Sequence, residues 1–274
     1  MVTLGPYTIP APAVMGILNV TPDSFSDGGH FENLHTAVRQ AVTMVEDGAS
    51  LIDIGGESTR PGAASVPEQQ ELDRVIPVIE AVRAVTDVPI SIDTSKAGVM
   101  RAAVAAGAAM INDVAALRGE GAMQAAADLG VPVCLMHMQG EPRTMQEKPR
   151  YDDVVADVAA FLESRIAACV EAGIGEELIV VDPGIGFGKT HRHNVELLAN
   201  LRQLRVRERP VLVGVSRKST LGDLTQREVH ERMPASVAAA VVAVMNGASI
   251  VRAHDVQETV DALKVAQAVI EAGE

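Results

Sequence analysis

Eight short stretches of this 274-residue chain end in side chains that can do chemistry. In order they are Asn19, Glu57-Ser58-Thr59-Arg60, Asp93, Asn112-Asp113, His137, Asp182, Ser216-Arg217-Lys218, and Arg252 with His254. Asp93, Asn112 and Asp182 offer hydrogen-bond acceptors, which suits a flat heterocycle presenting several N–H donors. Arg60, Arg252 and His254 form a cationic set. Arg252 and His254 stand two apart on one β-rich run, so they face the same side and can clasp one anion, which implies a phosphate. Lys218 follows Ser216 at the same spacing and would reach inward between the two subsites. No Ser-His-Asp or Cys-His signature accompanies these residues, so the chemistry needs no protein nucleophile.

Two look-alike motifs are set aside. The run Asp182 to Thr190 (DPGIGFGKT) follows a strand and precedes a helix, but three residues separate Gly184 from Gly188, where a P-loop needs four, and Pro183 stands where the first Gly should be. His191 and His193 open a helix without a nearby Cys or third His, so they read as solvated first-turn residues rather than metal ligands.

The elements that must position these groups repeat. A helical stretch ends in Gly, a short β-rich run follows, and the run stops at polar residues, as in Gly48 before Leu51–Ile54, Gly107 before Met110–Asp113 and Gly130 before Val131–His137. Gly173 before Leu178–Asp182 and Gly247 before Ile250–His254 continue the pattern, while Val88–Asp93 and Pro210–Ser216 carry a Pro at the start. With Val14–Leu18 this makes eight strands, each followed by a helical pattern, at roughly 34–47, 68–85, 95–106, 121–129, 152–172, 193–205, 235–246 and 256–272. Strict alternation eight times over is the signature of a (β/α)8 TIM barrel, here one domain over residues 1–274. Active sites of such barrels lie at the strand C-termini, where these polar residues fall. The residues through Pro12 would plug the opposite end.

Composition narrows the function further. A formal net charge of −13 argues against nucleic-acid and anionic-membrane surfaces, which need a basic footprint. The two cysteines, Cys134 and Cys169, have neither disulfide nor zinc spacing and read as reduced core thiols. With no leader pattern at Met1–Ala13 and no apolar run long enough to span a bilayer, a cytoplasmic location is expected. Aromatic residues make up 2%, so Val, Ile, Leu, Ala and Met must fill the core.

The sequence closely resembles the bacterial dihydropteroate synthases. The matching segments are Gly16–Gly29 (GILNVTPDSFSDGG), Asp53–Ala63 (DIGGESTRPGA), Ser91–Lys96 (SIDTSK), Ile111–Val114 (INDV), Leu135–Tyr151, Val181–Lys189 (VDPGIGFGK), Leu212–Ser219 (LVGVSRKS) and Val251–Val256 (VRAHDV). The resemblance implies a (β/α)8 barrel that condenses 6-hydroxymethyl-7,8-dihydropterin pyrophosphate with p-aminobenzoate, giving dihydropteroate and pyrophosphate in folate synthesis. It implies Asp93, Asn112, Met136, Asp182 and Lys218 as the pterin set. Asn19, Thr59, Arg60, Arg252 and His254 would hold pyrophosphate, with Asn19 also on Mg²⁺. Phe25, Pro61, Phe187, Lys218 and Ser219 would shape the p-aminobenzoate pocket. Asp93, Asp182, Lys218, Asp27 and Arg60 would carry the catalysis, the first loop closing as a lid with residues 21–29 poorly ordered in the absence of substrate. A homodimer built on the last helices is implied too.

The chain departs from many relatives at Ala115-Ala116-Leu117-Arg118, which could alter the pocket edge, and at Met233-Pro234-Ala235-Ser236, where Pro suits a first helical turn. The alternatives are a methyltransferase barrel of the methyltetrahydrofolate type and a catalytically silent pterin-binding paralogue. The first would not need the Ser24–Gly29 loop, the Ser58–Gly62 loop or the Arg252/His254 pair, and the second would have lost some of these residues.

Overall fold

The computed structural model of the chain describes residues 1–21, 30–59, 62–141 and 143–273, with the backbone alone for residues 30–32. An antiparallel hairpin, β1 (Val2–Leu4) and β2 (Tyr7–Ile9), opens it. Eight parallel strands follow: β3 (Ala13–Asn19), β4 (Leu51–Gly55), β5 (Ile90–Asp93), β6 (Met110–Asp113), β7 (Val133–Met136), β8 (Ile179–Asp182), β9 (Leu212–Gly214) and β10 (Ile250–Ala253). Strands β3 to β8 pair in sequence, and β10 lies between β3 and β9. A lone parallel bridge, Val181 with Val211, joins β8 to the residue before β9 and closes the ring. The expected (β/α)8 barrel is the observed fold.

The helices are α1 (His30–Glu46), α2 (Glu68–Arg83), α3 (Ala97–Ala105), α4 (Ala122–Leu129), α5 (Val154–Glu171), α6 (His191–Ala199), α7 (Ser219–Thr225), α8 (Met233–Met245) and α9 (Val256–Gly273). Their apolar faces cover the outward side chains of the strands, among them Val14, Leu18, Ile52, Ile54, Ile92, Ile111 and Val181. Gly107 illustrates the helix-to-strand turn: at φ 112° it takes a conformation that L side chains rarely adopt, and Gly48, Gly130, Gly173 and Gly247 do likewise. Among the described residues no helix is long and apolar enough to cross a membrane.

Two details differ from the expected elements. The helix expected over 193–205 stops at Ala199, because the Asn200 amide caps Glu196 O at 2.9 Å, and the chain continues as short 3₁₀ turns. The seven-residue α7, too short and too glycine-interrupted to show a helical period, is inserted between β9 and α8.

Alternation of side chains along a strand sends every second residue into the barrel. Met15, Leu51, Met110, Cys134, Val180, Leu212 and Ile250 form one interior layer, and Val2, Leu4 and Ile9 of the hairpin pack beneath it. The N-terminal residues therefore do plug this end. Two residues further along the strands the inward positions are Ile17, Asp53, Asn112, Met136, Asp182, Gly214 and Arg252, so the interior turns from apolar to polar within one layer.

Met15 sits in that apolar layer with no exposed surface. Met15→Ala should cost about 2–5 kcal/mol in urea unfolding, the range for a large side chain cut back in a core that cannot collapse. A loss below about 1 kcal/mol would mean that the layer is loosely packed.

Candidate active site

Arg252 organises the polar layer. Its Nε donates to Asp53 Oδ2 at 2.6 Å and its Nη2 to Asp93 Oδ2 at 3.0 Å. Asn112 Nδ2 donates to the same Asp53 oxygen at 3.0 Å. The ladder makes this possible: Gly55 pairs with Asp93, and Asp93 with Asn112, in register. A Cβ on Gly55 would lie 3.3 Å from that of Asp93, so the missing side chain gives the carboxylate its space.

The opposite wall begins at Asp182. Its Oδ1 accepts from Gly184 N at 2.7 Å, which starts a tight loop after β8. Gly184, at φ 67°, lies so close to β7 that a Cβ would fall 1.9 Å from His137 O. Lys218 reaches across from beyond β9, donates to Ile185 O and sits 4.7 Å above the Phe187 ring. The residue before it, Arg217, has φ 59° and turns outward to fork onto Asp255, which lets Lys218 turn inward. Ser216 Oγ accepts from His254 N at 3.2 Å and lies 2.9 Å from His254 Nδ1, so these two rim residues are held together.

Burial sets the protonation behaviour. It pushes the Asp93 carboxyl up to about 7, with Arg252 opposing and Asp53 adding to the shift. Asp182 is also raised by burial, against Lys218, the Gly184 N–H, Lys189 and Arg252. Burial lowers Lys218 to about 8, with Asp182 opposing. Arg252 shows the reverse balance: burial disfavours its charge, yet Asp53 and Asp93 outweigh this and hold the guanidinium above its usual range.

Asp93, Asn112, Asp182, Lys218 and Arg252 are thus brought into one cluster. Met136, opposite Asp182 in register, packs with Met138, Met145 and Phe187 as an apolar patch beside it. Asn19 is half-buried at the end of β3, paired with Gly55. Thr59 is half-buried, and Ser219 is the exposed first residue of α7. Phe25, Asp27, Arg60 and Pro61, and with them the expected lid, lie outside the described residues. Arg252 is engaged with the carboxylates below it, while His254 is joined to Ser216. Asp113 is turned away from the interior; its carboxylate accepts from Ala115 N and Leu117 N and so shapes the turn at the departing Ala115–Arg118 segment.

Asp53 is not among the residues that the sequence singled out, because it sits inside a strand and not at its end. The same two-residue count that pairs Arg252 with His254 would have placed Leu51, Asp53 and Gly55 on the inner face.

Residues 15–254 match the family model of the pterin-binding enzymes. The chain belongs to this family. Over 263 residues it is 54% identical to the dihydropteroate synthase of Escherichia coli (strain K12), covering 96% of this chain and 93% of the relative. The Yersinia pestis dihydropteroate synthase, crystallised with a sulfonamide drug complex, superposes with a TM-score of 0.94 at 52% identity, covering 98% of this chain and 99% of that one. The Xanthomonas albilineans dihydropteroate synthase with 4-aminobenzoic acid gives a TM-score of 0.90 at 56% identity, covering 94% and 93%. Within its family the chain is therefore one of the dihydropteroate synthases, transferases of folate synthesis.

The raised Asp93 has a stability consequence. The folded protein holds this proton more tightly than the unfolded chain, so its contribution is full below the unfolded value near 3.8 and is lost as pH rises through about 7. Asp93→Asn should therefore stabilise the ligand-free protein at pH 8 by on the order of 1–3 kcal/mol, with the gain shrinking towards pH 4. Urea unfolding across this range checks it; a variant less stable than wild type at pH 8 would show that the Arg252 contact outweighs burial.

Proposed function

We propose that this chain condenses 6-hydroxymethyl-7,8-dihydropterin pyrophosphate with p-aminobenzoate, and that the cluster around Arg252 is its pterin and diphosphate site. The observation that carries the residue assignment is the arrangement of Asp93, Asn112 and Asp182 with Lys218 and Arg252 at one end of the barrel. Because Asp53 already accepts from Arg252, Asn112 meets it with its amide N–H and keeps its carbonyl oxygen for a ligand N–H. Asp93 and Asp182 offer further acceptors, and Met136 supplies an apolar surface for the ring.

The reaction breaks the C–O bond between the pterin methylene and the diphosphate and forms a C–N bond to the amine. Positive charge develops on the methylene carbon as the diphosphate leaves with the bonding electrons. Asp182, held by Gly184 N–H, stabilises that charge from a fixed position. Arg252 and His254, with Asn19, Thr59 and Arg60, receive the departing diphosphate. Lys218 over Phe187, with Ser219 at the start of α7, borders the p-aminobenzoate pocket. The aromatic amine needs positioning rather than deprotonation before attack, and the nitrogen loses its proton once bonded.

Mg²⁺ belongs to this reading. Among the described residues no group of three or more His, Cys, Asp or Glu could hold a metal ion. The amide oxygen of Asn19 is nonetheless a hard donor of the kind that would hold Mg²⁺. Such an ion supplies charge neutralisation on the leaving group. We also propose that residues 1–274 act as one catalytic domain, that the chain is cytoplasmic, and that it forms homodimers through its last helices; sedimentation showing monomer alone at high concentration would remove the dimer.

Purified protein should release pyrophosphate only when both substrates and Mg²⁺ are supplied. No release at micromolar enzyme would end this reading. Lys218→Ala should weaken both substrates, raising each KM by about tenfold, the cost of one charge-assisted contact; unchanged kinetics would take Lys218 out of the site.

A further inference from the structure

The glycine-rich segment after β8 ends in Lys189, a lysine that the reading above does not use. Its side chain folds beneath the loop and is 2% exposed. Nζ lies 3.0 Å from Gly184 O, 3.0 Å from Phe187 O, 3.3 Å from His137 O and 2.8 Å from His137 Nδ1. Carbonyl oxygens on three residues and an imidazole nitrogen make an acceptor cage that matches an ammonium. Burial pushes His137 down to about 3, with the Lys189 charge adding to it, so the ring is neutral and Nδ1 can accept. The His137 ring is packed edge-on by Phe161 and flanked by Tyr151, whose hydroxyl donates to Gly188 O at 2.7 Å.

Asn194 of α6, also 2% exposed, holds the loop from the other side. Its Oδ1 accepts from Gly186 N at 2.8 Å, and its Nδ2 donates to Thr220 Oγ1 at 2.8 Å. It therefore ties the loop to the first turn of α7, directly after Lys218 and Ser219. Gly184, Gly186, Phe187 and Gly188 are each fastened in this way. The same loop gives Asp182 its N–H partner, Lys218 its carbonyl and the pocket its Phe187 ring.

We infer that Lys189 is a positioning residue for the transfer reaction: its buried ammonium holds the 183–188 loop against the end of β7 and keeps a positive charge behind the Asp182 carboxylate. Asn194 is the corresponding brace on the p-aminobenzoate side. The inference rests on the proposed function. The cations that act on Asp182 are Lys218 from beyond β9, Lys189 from beneath the loop and Arg252 from β10, which carries Asp53 and Asp93 on its far edge. Lys189 is itself lowered by burial to about 7, with Asp182 opposing the shift, so it carries its charge on the acid side of neutrality, where the acid limb is read. Without it, Asp182 keeps its proton to higher pH.

The test is pyrophosphate release from pH 5.5 to 8.5 by wild type, Lys189→Met, Lys189→Gln and Asn194→Ala, with thermal midpoints recorded for each. Both Lys189 variants should lose about tenfold or more in kcat, and the acid limb of kcat/KM for the pterin substrate should move up by roughly half to one pH unit. Asn194→Ala should raise KM for p-aminobenzoate by about threefold to tenfold, leaving the pterin KM and the acid limb unmoved. Lys189→Gln can reach two of the carbonyls without charge and is read where Lys189→Met does not fold. A wild type that releases no pyrophosphate defeats the proposed function; an active wild type with an unmoved acid limb in folded Lys189 variants overturns the role of Lys189.

Discussion

Inside the barrel, one guanidinium is held between two carboxylates, and much of the architecture follows from keeping that arrangement out of water. Arg252 between Asp53 and Asp93 is a buried ion cluster with more negative than positive charge, which desolvation alone would not permit. The partners must therefore come from strands that the ladder fixes, and they do: β4, β5 and β10 each contribute one member. The remaining excess of acid is shared with Asn112 and, on the far wall, balanced by Lys218 near Asp182. Raised carboxyls and a lowered lysine are the physical record of this crowding. A ligand rich in N–H donors relieves the same crowding when it enters.

Strand alternation divides labour between neighbours in the chain. The inward residue of a pair lines the polar interior, whereas the next one fastens the frame. Asn112 faces the interior, and Asp113 beside it anchors the turn through Ala115 N and Leu117 N, with Ser95 donating to it as well. At the start of α3, Lys96 adds a tie of its own, pairing with Glu57 just past β4 and with the buried Glu71 of α2. Function and frame thus come from adjacent positions, and the polar residues that never reach the ligand are as necessary to the site's geometry as those that do.

Much of this was legible in the sequence. Eight repeats of helix, glycine and short apolar strand specify the barrel because each glycine marks a left-handed turn and each strand stops at a polar residue. The gathering of Asp93, Asn112 and Asp182 at one end of the barrel was legible for the same reason, since they stand at strand ends. Asp53 was not, because an acid within an apolar run looks like an exception until its inward register and the facing Arg252 are known. Lys189 was hidden by its motif: the eye compares DPGIGFGK with a phosphate-binding loop, whereas the chain uses the lysine to bind its own carbonyl groups. The short α7 and the 3₁₀ turns after Ala199 escaped because neither is long enough to show a period. Phe25, Asp27, Arg60 and Pro61 were named through resemblance, and the described residues do not include them.

The ring of strands is not equally fastened around its circumference. Between β8 and the three-residue β9 the ladder is reduced to the bridge of Val181 with Val211, reinforced by Val181 N to Pro210 O at 3.0 Å. Asp182 and Lys218 stand on opposite sides of that seam, and Lys218 reaches back across it to the Ile185 carbonyl of the loop after β8. The ring is thus a split washer: ladders of three or more residue pairs join every neighbouring pair of strands except at this one cut. In the proposed reading the two substrates meet across this cut, so the cleft is bordered by the one junction of the ring that no ladder holds.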